Sequence, residues 1–236
     1  MTKNRYLLKL SGEVLKGSQS SGISFSTLDN TCKRLSNIIK KGDVELGFVV
    51  GGGNIFRGGR GVVEGYDRLL GDQVGMMATV INGLSLVERL RYYGVKTIIQ
   101  SGVKIDGVVD LFDKDQVEKT FSEGGAVVFC GGIGNPYFST DTTAVLRALQ
   151  INATAVFKAT KVDGIYDKDP EKFSDAKKYN EIKFGEIISN NLEVMDLTAI
   201  LMMKKNNLKL MVFNMTTEGV LEDACHGKEL GTIVKE

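Results

Sequence analysis

The 236 residues, 42% of them hydrophobic, are enough to bury a sizeable core in one large domain or two small ones. Lysine and arginine number 30 against 29 aspartate and glutamate, so no overall basic field exists to gather a nucleic-acid polymer or an anionic membrane, and any anion site must be local. The amino terminus lacks the apolar stretch of a signal peptide and no apolar run reaches bilayer length, so a cytoplasmic protein without membrane partners is expected.

In chain order, YLLKL (Tyr6 to Leu10) reads as a first strand. The spacing of Leu28, Cys32, Leu35, Ile38 and Ile39 then predicts a helix face, ended by Gly42. VELGFVV makes a second strand that runs straight into GGGNIFRGGRG. Asp72 to Tyr93 has helical spacing through Val80, Leu84, Val87 and Leu90, followed by the strand VKTIIQ and a helix from Asp113 to Glu123. AVVFCGG is a continuous apolar run of the kind buried on both faces. Thr140 is placed to cap a helix from Asp141 to Leu149, before the strand TAVFKAT. A polar loop, DGIYDKDPEKF, precedes a helix from Asp196 to Asn206, the strand KLMVF and a last helix from Glu218 to Ala224. This alternation predicts an α/β/α sandwich of three layers around a mainly parallel sheet. Two prolines and no low-complexity linker leave nothing to mark a domain boundary.

Cys32, Cys130 and Cys225 are widely spaced in apolar periodic sequence, as buried reduced thiols would be. With His226 as the sole histidine, a Ser-His-Asp triad or a multi-histidine metal site is not expected.

Three glycine-rich turns follow strands: SGE after YLLKL, GGGNIFRGGRG after LGFVV and GGIGNPYFSTD after AVVFC. Glycine lets backbone N–H groups approach an anion, and a following helix adds its positive dipole end. The Walker pattern is absent, because the only Gly-Lys pair, Gly227-Lys228, is followed by Glu229. A dinucleotide G-x-G-x-x-G fails too, with Phe56 where the last glycine would stand. What remains is glycine turns accompanied by cations: Lys9 before Ser11-Gly12, Arg57 within the second turn, and Lys158 at the end of AVFK. A lone cation is most often a solvated surface group, but Lys9 interrupts an apolar strand and abuts a glycine turn. Fixed positive groups converging on one crevice are what phosphoryl transfer requires.

KLSGE (Lys9 to Glu13), GGGNIFRG (Gly51 to Gly58), GDQVGMMATVINGL (Gly71 to Leu84), GIGNPYFSTD (Gly132 to Asp141), KATKVDGIYDKDP (Lys158 to Pro170) and VMDLTA (Val194 to Ala199) together resemble the bacterial-type UMP kinases, or uridylate kinases, of the amino acid kinase family. The resemblance implies phosphoryl transfer from ATP to UMP, giving ADP and UDP for pyrimidine nucleotide synthesis, in a hexamer of identical chains. It also implies one domain over residues 1–236, with a UMP-binding lobe of about 1–155 and an ATP-binding lobe of 156–236. Carried over by position, Lys9, Leu10, Ser11 and Gly12 would lie along the ATP phosphates, Lys9 stabilising the transferred group. Gly52 would face UMP, and Gly53 and Arg57 the ATP side. Asp72 would accept from the UMP ribose hydroxyls, while Ile133, Gly134, Asn135, Pro136, Tyr137, Phe138, Ser139 and Thr140 would wrap the base and phosphate. Thr160, Tyr166 and Asp169 would hold the ATP nucleoside. Lys158 and Asp196 look like the second cation and the carboxylate that orients the lysines. Asp141 would open its helix, either as a plain cap or as a catalytic participant. Mg²⁺ is expected as the ATP complex, since it keeps several waters and binds phosphates with at most one or two carboxylates. The acidic trio Asp163, Asp167 and Asp169 reads as turn chemistry. At Gly17 to Ser26 the family often carries an aromatic and an aspartate where this chain has Ser21 and Ser24, so the resemblance does not extend GTP activation to it. Two other readings use the same scaffold: a carboxylate or carbamate kinase, and a nonenzymatic nucleotide-binding or storage protein.

Overall fold

The computed structural model describes residues 3–56, 65, 67–160 and 162–236. Strand β1 (Asn4–Leu10) leads through a short helix α1 (Gly12–Lys16) and a longer α2 (Phe25–Lys41) into β2 (Val44–Val50). There follow α3 (Arg68–Tyr92), β3 (Thr97–Ser101), β4 (Asp110–Leu111), α4 (Lys114–Ser122), β5 (Ala126–Cys130), α5 (Thr140–Gln150) and β6 (Ala155–Thr160). The last third adds the antiparallel pair β7 (Ile165–Tyr166) and β8 (Lys178–Tyr179), then β9 (Glu181–Lys183), α6 (Phe184–Ser189), α7 (Leu197–Lys205), β10 (Lys209–Asn214), α8 (Val220–Cys225) and β11 (Thr232–Lys235).

Among the described residues, nine strands form one sheet in the order β4-β3-β5-β2-β1-β6-β10-β11-β9. Every pairing in it is parallel except β10 with β11. Because successive strand residues face opposite ways, each strand feeds two cores. Tyr6, Leu8 and Leu10 join Phe48, Val128 and Phe157 beneath α2, α3 and α8, whereas Leu7 joins Val49, Phe129 and Val156 beneath α4, α5, α6 and α7. The predicted three layers are therefore present. On the first side, neighbouring strands stack their rings, with Tyr6 and Phe157 centroids 4.3 Å apart and Phe213 edge-on to Phe157 at 5.6 Å. Each such fully buried large side chain contributes roughly 1.5–3 kcal/mol relative to leaving it exposed.

The local signals act as expected at several helix ends. Ser24 accepts from the Thr27 N–H to open α2, and Gly42 closes it in the left-handed region at φ 77°. The last helix starts at Val220 rather than Glu218, after Gly219 in the left-handed region at φ 78°, and two further helix starts differ through their caps. Helix α3 begins at Arg68, because Asp67 accepts from the Leu70 N–H and supplies a cap a full turn before Asp72. Helix α5 is capped by Ser139 rather than Thr140, the Ser139 hydroxyl accepting from the N–H groups of Asp141 and Thr142.

Candidate functional site

Strands β5, β2, β1 and β6 are neighbours and parallel, so the segments that leave their carboxyl ends converge on one edge of the sheet. The strand order also turns outward in both directions from β1, which is where open α/β sheets bind ligands. Lys9 and Lys158 are directly opposed across β1 and β6. The alternation that sends Leu8 and Leu10 toward α2 and α3 sends both lysines toward α5.

There they meet Asp141, in the first turn of α5. Lys9 Nζ lies 2.9 Å from Oδ1 and Lys158 Nζ 3.1 Å from Oδ2. The Lys158 ammonium also donates to the Val194 carbonyl. Among the described residues, Asp141 Oδ1 is buried with no donor aligned for a hydrogen bond, its contact being the ion pair with Lys9. All three side chains are less than one-fifth exposed. Burial works to raise the Asp141 pKa, but the two ammoniums outweigh it and hold the carboxyl below the usual aspartate range. Burial pushes Lys158 below the ordinary lysine value; Asp141 opposes that shift and Lys9 adds to it. In direct contact, two ammoniums face the one Asp141 carboxylate, while the Asp196 carboxylate acts on Lys158 from farther off, and the ammoniums lie on an edge where a phosphate's negative oxygens could meet them.

The carboxylate in direct contact with both lysines is thus Asp141, while Asp196 lies beside the cluster and acts on the Lys158 charge without an ion-pair contact to either lysine among the described residues. Asp196 caps α7 by accepting from the Ala199 N–H at 3.0 Å, and it receives hydrogen bonds from the hydroxyls of Ser139 and Thr142. It ties the start of α7 to the start of α5, and so braces the turn that carries Asp141. Asp141 in turn leaves the capping of its helix to Ser139.

Two clefts flank the cluster. One, of about 600 Å³, is lined by Lys158, Thr160, Tyr166 and Asp169 together with Asn190 to Val194. Three of its residues are held by turn bonds: Thr160 Oγ1 donates to the Val162 carbonyl, Tyr166 donates to Asp163 at 2.6 Å, and Asp169 accepts from the Glu171 N–H at 3.0 Å. The other, of about 270 Å³, is lined by Gly52, Gly53, Phe56, Asp72, Gly75, Met76, Thr79, Gly132, Pro136, Phe138, Ser139 and Thr140. Gly53 therefore lies with Gly52 and Asp72 rather than on the side of Thr160 and Tyr166. Ile133, Gly134, Asn135 and Tyr137 belong to the same loop but do not line this second cleft. Tyr137 adopts a left-handed φ of 71°, and its N–H donates to Asp72 Oδ2 at 2.8 Å; Arg68 Nε reaches the same oxygen at 3.1 Å.

Leu10 is fully buried, and its carbonyl accepts from the Gly51 N–H at 2.9 Å. Ser11 caps α1 and Gly12 begins it. Arg57 lies outside the described residues. Asn54, Thr79, Asn82 and Thr142 were not singled out from sequence, yet they fasten the site. Thr79 Oγ1 accepts from the Gly131 N–H at 2.8 Å, which joins α3 to the end of β5. Their signal was a polar residue repeatedly set in apolar helix or glycine turn, which by itself reads as solvent-facing.

Comparison with known proteins agrees with this architecture. Residues 4–214 match the amino acid kinase family. The UMP kinase of Ureaplasma parvum superposes with a TM-score of 0.92 at 35% identity, covering 100% of both chains. That of Bacillus anthracis gives a TM-score of 0.92 at 31% identity, covering 100% of this chain and 97% of the other. The uridylate kinase of Archaeoglobus fulgidus gives 0.72 at 26%, covering 97% and 99%. The chain belongs to the amino acid kinase family and has the fold of its UMP kinases.

Proposed function

We propose that this protein transfers the γ-phosphoryl group of ATP to UMP, forming UDP and ADP. The observation that carries the reading is the buried Lys9–Asp141–Lys158 cluster set between two clefts at the carboxyl edge of the sheet. ATP, with Mg²⁺ as part of the substrate, takes the larger cleft, its nucleoside beside Thr160, Tyr166 and Asp169. UMP takes the smaller one, its ribose toward Asp72. A UMP phosphate oxygen attacks the γ-phosphorus in line as the bond to the β,γ-bridging oxygen breaks, and ADP departs. Two phosphate chains repel each other in this geometry, and the ammoniums of Lys9 and Lys158 offset that repulsion as charge spreads over the equatorial oxygens. The attacking oxygen is already ionised at neutral pH, so the chain's residues need not supply a strong base. Asp141 holds the two ammoniums in place rather than taking a proton.

The family resemblance further supports a homo-oligomer, hexameric in related enzymes. Leu70, Val74, Met77, Ile81 and Leu84 form an outward row on α3, each at least 38% exposed, and a subunit contact would cover such a row. Among the described residues no helix is long and apolar enough to cross a membrane.

The test is ADP formation from ATP and Mg²⁺ with UMP, CMP, GMP, AMP, acetylglutamate and carbamate offered separately. UMP is expected to support the highest kcat/KM. Phosphorylation of acetylglutamate or carbamate but not UMP would replace the acceptor assignment, and nucleotide binding without turnover on any acceptor would make the protein a binder rather than a kinase.

A further inference from the structure

Two asparagines that take no part in the proposed chemistry are sealed beneath the glycine turns. Asn54 is 3% exposed and Asn82 is 0% exposed. Their amides form a reciprocal pair, Asn54 Nδ2 donating to Asn82 Oδ1 at 3.1 Å and Asn82 Nδ2 donating to Asn54 Oδ1 at 2.7 Å. The second N–H of each goes to backbone: Asn54 to the Gly22 carbonyl at 2.9 Å, Asn82 to the Gly51 carbonyl at 2.7 Å. Those carbonyls fix both amide orientations, since a flipped amide would set oxygen against oxygen. The Gly22 N–H returns a bond to the Asn54 carbonyl at 2.8 Å. Every amide hydrogen is satisfied, and a fully satisfied buried network specifies one arrangement, whereas losing one member leaves the others unpaired at a cost.

The location gives this network its consequence. Gly12 approaches so closely that a Cβ there would run into Asn54 Oδ1 and stand 2.9 Å from the Gly51 carbonyl. Asn54 therefore underlies the turn that follows Lys9, and the Gly51 N–H bonds back to Leu10 on the same strand. Asn82 belongs to the helix that presents Asp72, Gly75, Met76 and Thr79 to the smaller cleft. The pair joins the turn beside the donor phosphates to the helix that frames the acceptor.

We propose that Asn54 and Asn82 are positioning residues, a buried amide clamp that sets the separation of the two phosphates by fixing the Gly12 turn and the Gly51–Gly53 turn against α3. The proposal rests on the phosphoryl-transfer reading above. Neither asparagine touches a nucleotide; each acts through glycine backbone. Loosening the clamp misplaces the reactants without removing a binding group, and a displacement of about 1 Å is enough to slow transfer by about 100-fold.

The experiment measures kcat and both KM values for wild type, Asn82→Ala, Asn54→Ser and Asn54→Ser/Asn82→Ala, at a temperature where circular dichroism shows each folded. It adds hydrogen exchange at the bonded amides of Gly51, Ile55 and Phe56. Asn82→Ala is expected to lose about 10- to 100-fold in kcat, with the KM of ATP and of UMP within about threefold, and the double variant no worse than the single ones, since the pair acts as a unit. Exchange at the three amides is expected to quicken at least about tenfold. A kcat within twofold of wild type, or a KM increase with kcat unchanged, overturns the positioning role. Should Asn82→Ala fail to fold, Asn54→Ser, which leaves a hydroxyl in the space, carries the same expectation. A wild type inactive toward UMP would overturn the acceptor assignment instead, while unchanged exchange in a folded variant would overturn the clamp irrespective of substrate.

Discussion

Asp141 shares its two oxygens between Lys9 and Lys158, so removing its charge leaves two poorly solvated ammoniums facing each other. Asp141→Asn is expected to lose about 3 kcal/mol of stability, the scale for breaking a buried ion pair from one side, read as a lowered urea midpoint at pH 7. The pH dependence follows from the depressed carboxyl pKa. The folded state holds the charged form more strongly than the unfolded chain does, so this stabilisation is complete above the unfolded aspartate value of about 3.9 and is lost as pH falls through the lower, folded value. Urea midpoints taken downward from pH 5 should therefore fall more steeply for wild type than for Asp141→Asn, and parallel curves would mean the carboxylate is not held charged by the lysines. Lys9→Ala removes charge from the proposed transfer centre. Its kcat should fall by roughly 100- to 1,000-fold, as when one preorganised donor is lost, and a turnover near wild type would dismiss the assigned role. Lys9 was legible in the sequence because a charge inside an apolar strand next to glycine has few structural explanations. The partnership with Asp141 was not legible, since an aspartate in the first turn of a helix looks the same whether it serves the helix or reaches past it.

At the scale of elements, the site depends on close backbone approach between α3 and the turn after β2. A Cβ added to Gly52 would stand 2.8 Å from the Gly75 carbonyl and 2.9 Å from the Ala78 Cβ, both on α3. Gly52→Ala should therefore cost about 1–3 kcal/mol as overpacking and also weaken UMP binding, whereas an unchanged melting temperature would show that the turn has room to move. Asp72, on the same helix, is held toward the Tyr137 backbone and Arg68. Asp72→Asn is expected to raise the UMP KM with the ATP KM unchanged in steady-state kinetics; a selective loss of ATP affinity would place the acceptor in the other cleft. The long helices and central strands could be read from apolar spacing because each supplies several turns or alternations. Helix α1 and strands β4, β7, β8 and β9 could not, because two to five residues are too few for periodicity to separate from a turn. Strand β11 and helix α6, likewise short, become visible only through what they pair with or pack on.

For the whole molecule, the parallel sheet creates the site by gathering four strand ends that are far apart in sequence, and no single motif contains it. Strand alternation and helix spacing were sufficient to anticipate the layers, but not the strand order that sets Lys9 opposite Lys158. That register is a product of long-range packing, which a linear pattern does not encode. The outward apolar row of α3 belongs to this scale as well. Sedimentation should find an assembly larger than the monomer, reduced in size by Ile81→Asp, and a monomeric wild type would withdraw the proposed oligomer. The most direct test of the central claim is a crystal structure with UMP and a nonhydrolysable ATP analogue bound together. The two phosphate chains are expected to meet end to end beside Lys9 and Lys158, with the γ-phosphate facing the UMP phosphate. Nucleotides bound apart, or with their phosphates directed away from the lysine pair, would contradict it.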